Sequence, residues 1–327
     1  MPKVSLVVCV YRERALLERL LTHADGCYDE LVVVHDGREQ DEPAWQPRAP
    51  RLEWAIDYAV PELARPAQGF WPERKELGAP GSIQSLVRSV GGRFFAGPRC
   101  WQQEPHWPFA WSVAEHDWIL RLDADEYPSA ALLKWLSDFR KLPDPAEQTS
   151  GYTCIWPMWD GRRSVSNVWP DGRIFLFHRR RVSFFGMVEQ IPVADQSFSS
   201  LEMTLHHEPS RKSYGFRNIL IRRQAYRWRE VIARALLGSP QDLPRWRWSD
   251  PTWPAPWSGL RSHPLKYAAN ALAFMPLYTA KVMVKNGIWP RPGIVFQSAI
   301  HHFLLALRYW QLRRVAGKNC SKNGLSA

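Results

Sequence analysis

The chain has 327 residues, 45% of them hydrophobic, which excludes a disordered tail, a collagen-like fibre and a small disulfide-stapled domain. Its 43 Lys and Arg against 32 Asp and Glu give a formal net charge of +11, which favours anionic partners: nucleic acid, phospholipid headgroups or phosphorylated metabolites. The 18 Trp add ring surface of the kind that stacks on sugars and bases or sits at a membrane interface. Cys9, Cys27, Cys100, Cys154 and Cys320 are scattered, with no CxxC pair or Cys/His ligand cluster along the chain. Neither a disulfide framework nor a structural zinc site is expected. The N-terminal apolar run is short and meets Arg12-Glu13-Arg14 almost at once, unlike a signal peptide, so a reducing, cytoplasmic compartment is expected.

Val4 to Val10 is a continuous β-branched run, the mark of a strand buried on both faces of a parallel sheet. Leu16, Leu17, Leu20 and Leu21 follow at helical spacing within 14–23. Leu31 to His35 forms a second apolar strand ending in Asp36-Gly37. Strand, helix and strand within about forty residues is one βαβ crossover. Residues 38–105 have weak periodicity; Arg51 to Ala59 is a candidate third strand and Ile83 to Val90 a candidate helix. Trp107 to Glu115 reads as helix and Asp117 to Leu122 as strand, ending in Asp123-Ala124-Asp125-Glu126. Pro128-Ser129 opens a helix over 130–140. Short strands follow at Tyr152 to Trp156, Ile174 to Phe177 and Val182 to Phe185, then a basic helix from Tyr214 to Leu237. The predicted organisation is an α/β domain over 1–238, a Trp/Pro-rich linker over 239–264 and an amphipathic helical region over 265–327. The last two apolar stretches, Leu265 to Val284 and Ile294 to Leu312, approach the roughly 20 residues that cross a bilayer. They carry Lys266, Lys281 and Arg308, which a crossing helix seldom tolerates, so they are expected to lie in a membrane interface, anchored by Trp289, Trp310, Arg313 and Arg314.

The carboxylates after the 117–122 strand carry the chemistry. Ligands of open α/β sheets bind beyond the carboxyl ends of strands. Acidic groups crowded there repel one another, and a hard divalent cation, Mg²⁺ or Mn²⁺, relieves that repulsion while bridging substrate phosphates. Asp36, ending another strand, belongs to the same pattern. No P-loop, GxGxxG, GxSxG or HExxH motif is present.

These segments, in order, resemble family 2 glycosyltransferases of the GT-A fold, and within them the lipopolysaccharide-core glucosyltransferase branch. Val4 to Glu13 resembles the first strand with its Tyr-Asn-Glu, Glu30 to Gly37 the second strand with its nucleoside-binding Asp, and Asp117 to Glu126 the Asp-x-Asp strand. Trp169 to Phe177, Phe185 to Glu189 and Leu205 to His207 resemble later segments of that branch. Arg12 stands where the family has Asn, Met187-Val188 where it has His before Glu, and Gln103 to Pro108 where it has an Arg-Asn pair.

The resemblance implies an α/β fold, GT-A type, with a mixed sheet flanked by helices and a helical C-terminal extension. It implies inverting sugar transfer from a nucleotide-diphospho-sugar to an acceptor hydroxyl on a cell-envelope glycan or lipid-linked saccharide, at the inner face of the cell membrane. Tyr11, Glu13, Asp36 and Asp123 would bind the nucleotide-sugar, Asp123 and Asp125 the metal. Glu189 would serve as base, with Glu126 as the second candidate. Trp169, Arg173 and His206 would meet acceptor or phosphate, with His207 beside them. The competing classes are a metal-dependent phosphate hydrolase using the Asp-x-Asp, a nucleic-acid binder and a non-catalytic basic membrane protein. The hydrolase motif wants Thr or Val where Tyr127 stands, and no nucleic-acid-binding motif is present.

Overall fold

Residues 1–37, 71–97, 100, 102–157, 172–187, 190–208, 239–285, 287, 289 and 292–322 are described by the structure, a computed structural model. They fall into two compact units: the described residues within 1–45, 65–209 and 243–249 make the first, and those within 239–242 and 250–322 the second.

The first unit begins β1 (Val4–Val10), α1 (Arg14–His23), β2 (Glu30–His35), α2 (Ile83–Ser89), β3 (Arg93–Ala96), α3 (Trp107–Val113) and β4 (Trp118–Arg121). Then come β5 (Glu126–Pro128), α4 (Ala130–Phe139), β6 (Gly151–Ile155), β7 (Arg173–His178), β8 (Val182–Phe185), β9 (Val193–Ala194), β10 (Phe198–His207) and β11 (Arg245–Trp246). Among the described residues eight strands form one sheet in the order β3-β2-β1-β4-β7-β6-β10-β5, and β11-β8-β9 form a smaller one. β1 pairs in parallel with β2 and with β4, and β2 with β3. β4 pairs antiparallel with β7, so the sheet is mixed, as expected.

Every residue of β1 is buried. Val4, Leu6, Val8 and Val10 pack on one face with Leu17, Leu20 and Leu21 of α1 and Leu132, Leu136 and Phe139 of α4. Val7 and Cys9 pack on the other with Trp107, Ala110 and Trp111 of α3. This period-two division explains why the strand is apolar at every position but Ser5 rather than alternating.

The candidate strand at 51–59 and the basic helix at 214–237 lie outside the described residues. Sequence reasoning placed no strand at β3, β5, β9 or β10. The Trp/Pro-rich stretch is not a plain linker. Trp246 sits in β11 against β8, and its Nε1–H donates to the Arg179 carbonyl at 2.6 Å. Pro254 and Pro256 then open α5 (Ala255–Ser262), where a missing N–H costs no helical bond.

The second unit holds α5, α6 (Pro264–Lys285) and α7 (Pro292–Lys322). α6 packs along α7, and Tyr267 and His302 are joined by a 2.7 Å hydrogen bond. Pro276 lies inside α6. Among the described residues no helix is long and apolar enough to cross a membrane.

Candidate functional site

β1 is the point where the strand order reverses: the chain builds β2 and β3 to one side, then returns to lay β4 on the other. The carboxyl ends of the flanking parallel strands splay apart there, leaving a crevice. A cavity of about 350 Å³ opens at that point. Its lining includes Cys9 near the end of β1 and Tyr11 after it, Asp36 after β2, Asp123 and Asp125 after β4, and His207 at the end of β10. Glu13, Gln102 and Gln103 complete the polar part of the lining. The structure therefore brings together Tyr11, Glu13, Asp36, Asp123 and Asp125, five residues separated by up to 114 positions.

The carboxylates are not equivalent. Asp123 is held by Arg173, whose Nη2 lies 2.9 Å from Oδ2, while its other oxygen, Oδ1, is buried without a hydrogen-bond partner. Burial disfavours ionisation of Asp123, but Arg173 and Arg121 outweigh it and hold the carboxyl below its usual range. Glu126 is fully buried; its carboxylate accepts from the Asp123 backbone N–H at 2.8 Å and pairs with Arg173 Nε at 3.0 Å. Asp125 is the most open of the three, with His207 Nε2 3.5 Å from its Oδ2. Burial works against the imidazolium of His207, yet Asp125 at that distance, with Glu126 and Asp123 behind it, raises its titration above the ordinary histidine value. The His207 ring stacks on Trp156 with centroids 4.6 Å apart.

Glu13 crowds the same rim. Desolvation disfavours its ionised form, and Asp125, Asp36 and Asp123 add repulsion. The Tyr11 backbone N–H, donating at 2.6 Å, pulls the other way, and the carboxyl ends raised to about 7. Beneath the site Arg121 is buried with its guanidinium 4.2 Å over the Trp107 ring. Its Nη2 donates to the Ile174 carbonyl at 3.2 Å, and among the described residues Nε and Nη1 have no hydrogen-bond partner. Burial and the nearby Arg173 lower it to about 9. Burial, with Asp123 and Asp36 adding to it, pushes the Cys9 thiol well up, so it lines the cavity as a neutral group.

Asp36 is clamped from behind. Its Oδ1 accepts from the Cys100 backbone N–H and from His106 Nε2 at 3.0 Å. The other imidazole nitrogen, Nδ1, accepts from Trp71 Nε1–H at 2.9 Å. Asp36, Cys100 and His106 also place three potential metal-ligand atoms within 4.8 Å of one another, a grouping that sequence spacing did not show because the residues meet only in the fold. The hydrogen bonds decide its nature. Indole N–H can only donate, so Nδ1 carries the lone pair and Nε2 the proton that Asp36 receives. A metal on Nε2 would force a proton onto Nδ1, against the Trp71 N–H. Cys100 and Asp36 outweigh burial and by charge alone raise the ring to about 9, but the Trp71 N–H aimed at Nδ1 stands where the second proton would go and keeps the ring neutral. The trio is a hydrogen-bonded clamp on Asp36.

The hard-cation site fits better elsewhere. Asp123, Asp125 and His207 line one cavity and offer mainly oxygen donors, the set that Mg²⁺ or Mn²⁺ takes together with substrate phosphates.

Three further predicted residues are placed as follows. Arg173 does not stand ready for an acceptor: its guanidinium faces Asp123 and Glu126, because β7 lies directly beside β4 and turns its first residue toward the carboxylates. Glu126 is no free base, since that same pair and its burial hold it. The histidine lining the cavity is His207, while His206, one position earlier on β10, is not part of the lining; adjacent strand residues point to opposite faces. Glu189 and Trp169 lie outside the described residues. Sequence reasoning missed Trp71, Gln102, His106 and Arg121. The only signal was the departure at 103–108, which the fold places against Asp36 and under Arg121.

No family model and no curated protein sequence matches the chain. Among solved structures it is similar to TarS of S. aureus. The 1–349 fragment aligns at 11% identity and TM-score 0.35, covering 95% of this chain and 91% of that one. Full-length TarS aligns at 11% identity and TM-score 0.33, over 94% of this chain and 54% of that one. The fragment in complex with UDP aligns at 10% identity and TM-score 0.32, over 95% and 91%.

Proposed function

We propose that the chain is an inverting glycosyltransferase that moves a sugar from a nucleotide-diphospho-sugar to an acceptor hydroxyl, on a cell-envelope glycan or lipid-linked saccharide. One observation carries the reading: Asp36, Asp123 and Asp125 converge on a single cavity at the strand-order reversal. A phosphate-bearing donor would be repelled by this lining alone, so the carboxylates make chemical sense with a divalent cation between them and the diphosphate.

In this reading Tyr11 offers its ring to the base, and Asp36, fixed by His106 and Trp71, accepts hydrogen bonds from the nucleoside. Asp123 and Asp125, with His207, would hold Mg²⁺ or Mn²⁺. When bound, the cation neutralises charge developing on the leaving diphosphate. Arg173 keeps Asp123 ionised and aimed, and Glu126 closes the turn by receiving the Asp123 N–H. Glu189 remains the proposed acceptor of the hydroxyl proton. Inversion follows from a single displacement in which that base and the diphosphate lie on opposite faces of the sugar.

The test is thermal unfolding of the purified protein with a panel of nucleoside diphosphates, with and without Mn²⁺. One nucleotide is expected to raise the melting temperature only with metal present, because a ligand of the folded state alone must stabilise it. Asp125→Ala should remove that rise and lower transfer by about 10²–10³-fold. A folded wild type that no nucleotide stabilises in the presence of Mn²⁺ would overturn the reading.

A further inference from the structure

The charge of the chain is unevenly divided. Residues 1–250 balance 33 Lys and Arg against 32 Asp and Glu, whereas residues 251–327 carry ten basic side chains and no acidic one. Almost the whole excess of +11 therefore lies in the segment that forms α5, α6 and α7.

The exposed side of α6 is also the wrong composition for water. Phe274 is 66% exposed, Leu277 68%, Tyr278 52% and Val284 62%. Their spacing sets them along one side of the helix, with Lys281 and Lys285 exposed among them. The opposite side, with Ala268, Ala271 and Met283, is buried. Trp289, just past the end of α6, is 86% exposed. A helix packed on a soluble protein turns its polar residues outward; α6 instead turns out aromatic and aliphatic side chains punctuated only by cations and Asn270.

We infer that the Phe274–Lys285 side of α6, continued by Trp289, is a docking surface for an anionic phospholipid bilayer. The helix, about 33 Å long by its residue count, lies along the interface, its apolar stripe among the upper acyl chains and its lysines at the headgroup phosphates. Two other occupants fit the same face less well. A second copy would set Lys281 and Lys285 against their own equivalents, with no acidic side chain anywhere in 251–327 to pair with them. A nucleic acid would leave Phe274, Leu277 and Val284 against a hydrated phosphate backbone. The surface stands independently of the chemistry proposed for the cavity of the first unit.

Flotation of the full-length protein with vesicles of phosphatidylcholine alone, and of phosphatidylcholine with phosphatidylglycerol, tests it. The protein is expected to float with the anionic vesicles and to stay behind with the neutral ones. K281Q/K285Q should weaken partition to anionic vesicles about thirtyfold, and F274S/L277S should abolish flotation, both with unchanged melting temperature because the positions are exposed. Wild type that fails to float with anionic vesicles overturns the proposal. So does flotation that both double variants retain in full. A concentration-dependent dimer that F274S/L277S dissociates, without vesicle binding, assigns the face to a second copy; retention on duplex DNA without vesicle binding assigns it to nucleic acid. Either overturns the proposal too.

Discussion

A buried carboxylate is useful only if its direction and charge are fixed, and Asp36 shows how this chain does it. Cys100 N–H and His106 Nε2–H converge on one oxygen, and Trp71 fixes the tautomer of the histidine. Nitrogen-15 NMR of the imidazole should therefore find neutral His106 with its proton on Nε2 at pH 7. Trp71→Phe removes the donor at Nδ1, so its His106 ring should take up a second proton at higher pH than in wild type. An imidazolium already present in wild type at neutral pH would refute the clamp. Glu13 gives a second expectation. Its folded carboxyl keeps its proton up to about 7, while an ordinary one releases it near 4.5. The folded state then binds more protons than the unfolded state across that window, so this group's contribution to stability is full at the acid end and falls as pH rises toward 7. Glu13→Gln cannot ionise. Melting curves from pH 4.5 to 7.5 in chelator should show wild type losing stability relative to the variant as pH rises, and saturating Mn²⁺ should narrow the gap. A constant difference would mean that Glu13 does not titrate in that range.

Elements formed by local rules were legible in the sequence, and those formed by partners were not. β1 and β8 match their predicted bounds, because an apolar run needs no knowledge of its neighbours to be read. α4 matches to within a residue. Its cap is Ser129, whose Oγ accepts from the Leu132 N–H at 3.3 Å, as Ser82 Oγ accepts from Ser85 at 3.0 Å ahead of α2. Ser129→Ala and Ser82→Ala should each cost about 1 kcal/mol in urea unfolding, and the two should add because they cap different helices. β10 went unread because Phe198 to His207 is mostly polar and half-buried, and its alternation is confined to Leu201, Met203 and Leu205 set between Glu202, Thr204 and His206. β5 went unread because three residues, Glu126 to Pro128, become a strand only when β10 pairs with them. The site divides in the same way. Asp36, Asp123 and Asp125 stand at the ends of legible strands and were found. His106, Trp71 and Arg121 act through contacts made across the fold, and no local pattern marks them.

The whole molecule separates two kinds of physics along the chain. The first 250 residues are nearly neutral and hold the carboxylate-lined cavity; the last 77 are cationic and hold the exposed apolar helix face. Between the ends of the first unit's sheet runs one pairing with a cost of its own. Val4 of β1 lies beside Trp118 of β4, in parallel. The β4 side of this buried, mostly apolar strand thus stays unpaired until the chain has been made well past position 118, roughly ten seconds of synthesis at ordinary ribosome speeds. β2 covers its other side early. For that interval the emerging protein carries a sticky, half-sheltered edge, and closing it demands a long loop before any reward. The same reversal of strand order that opens the cavity is therefore expected to delay closure of the sheet until most of the first unit has been made.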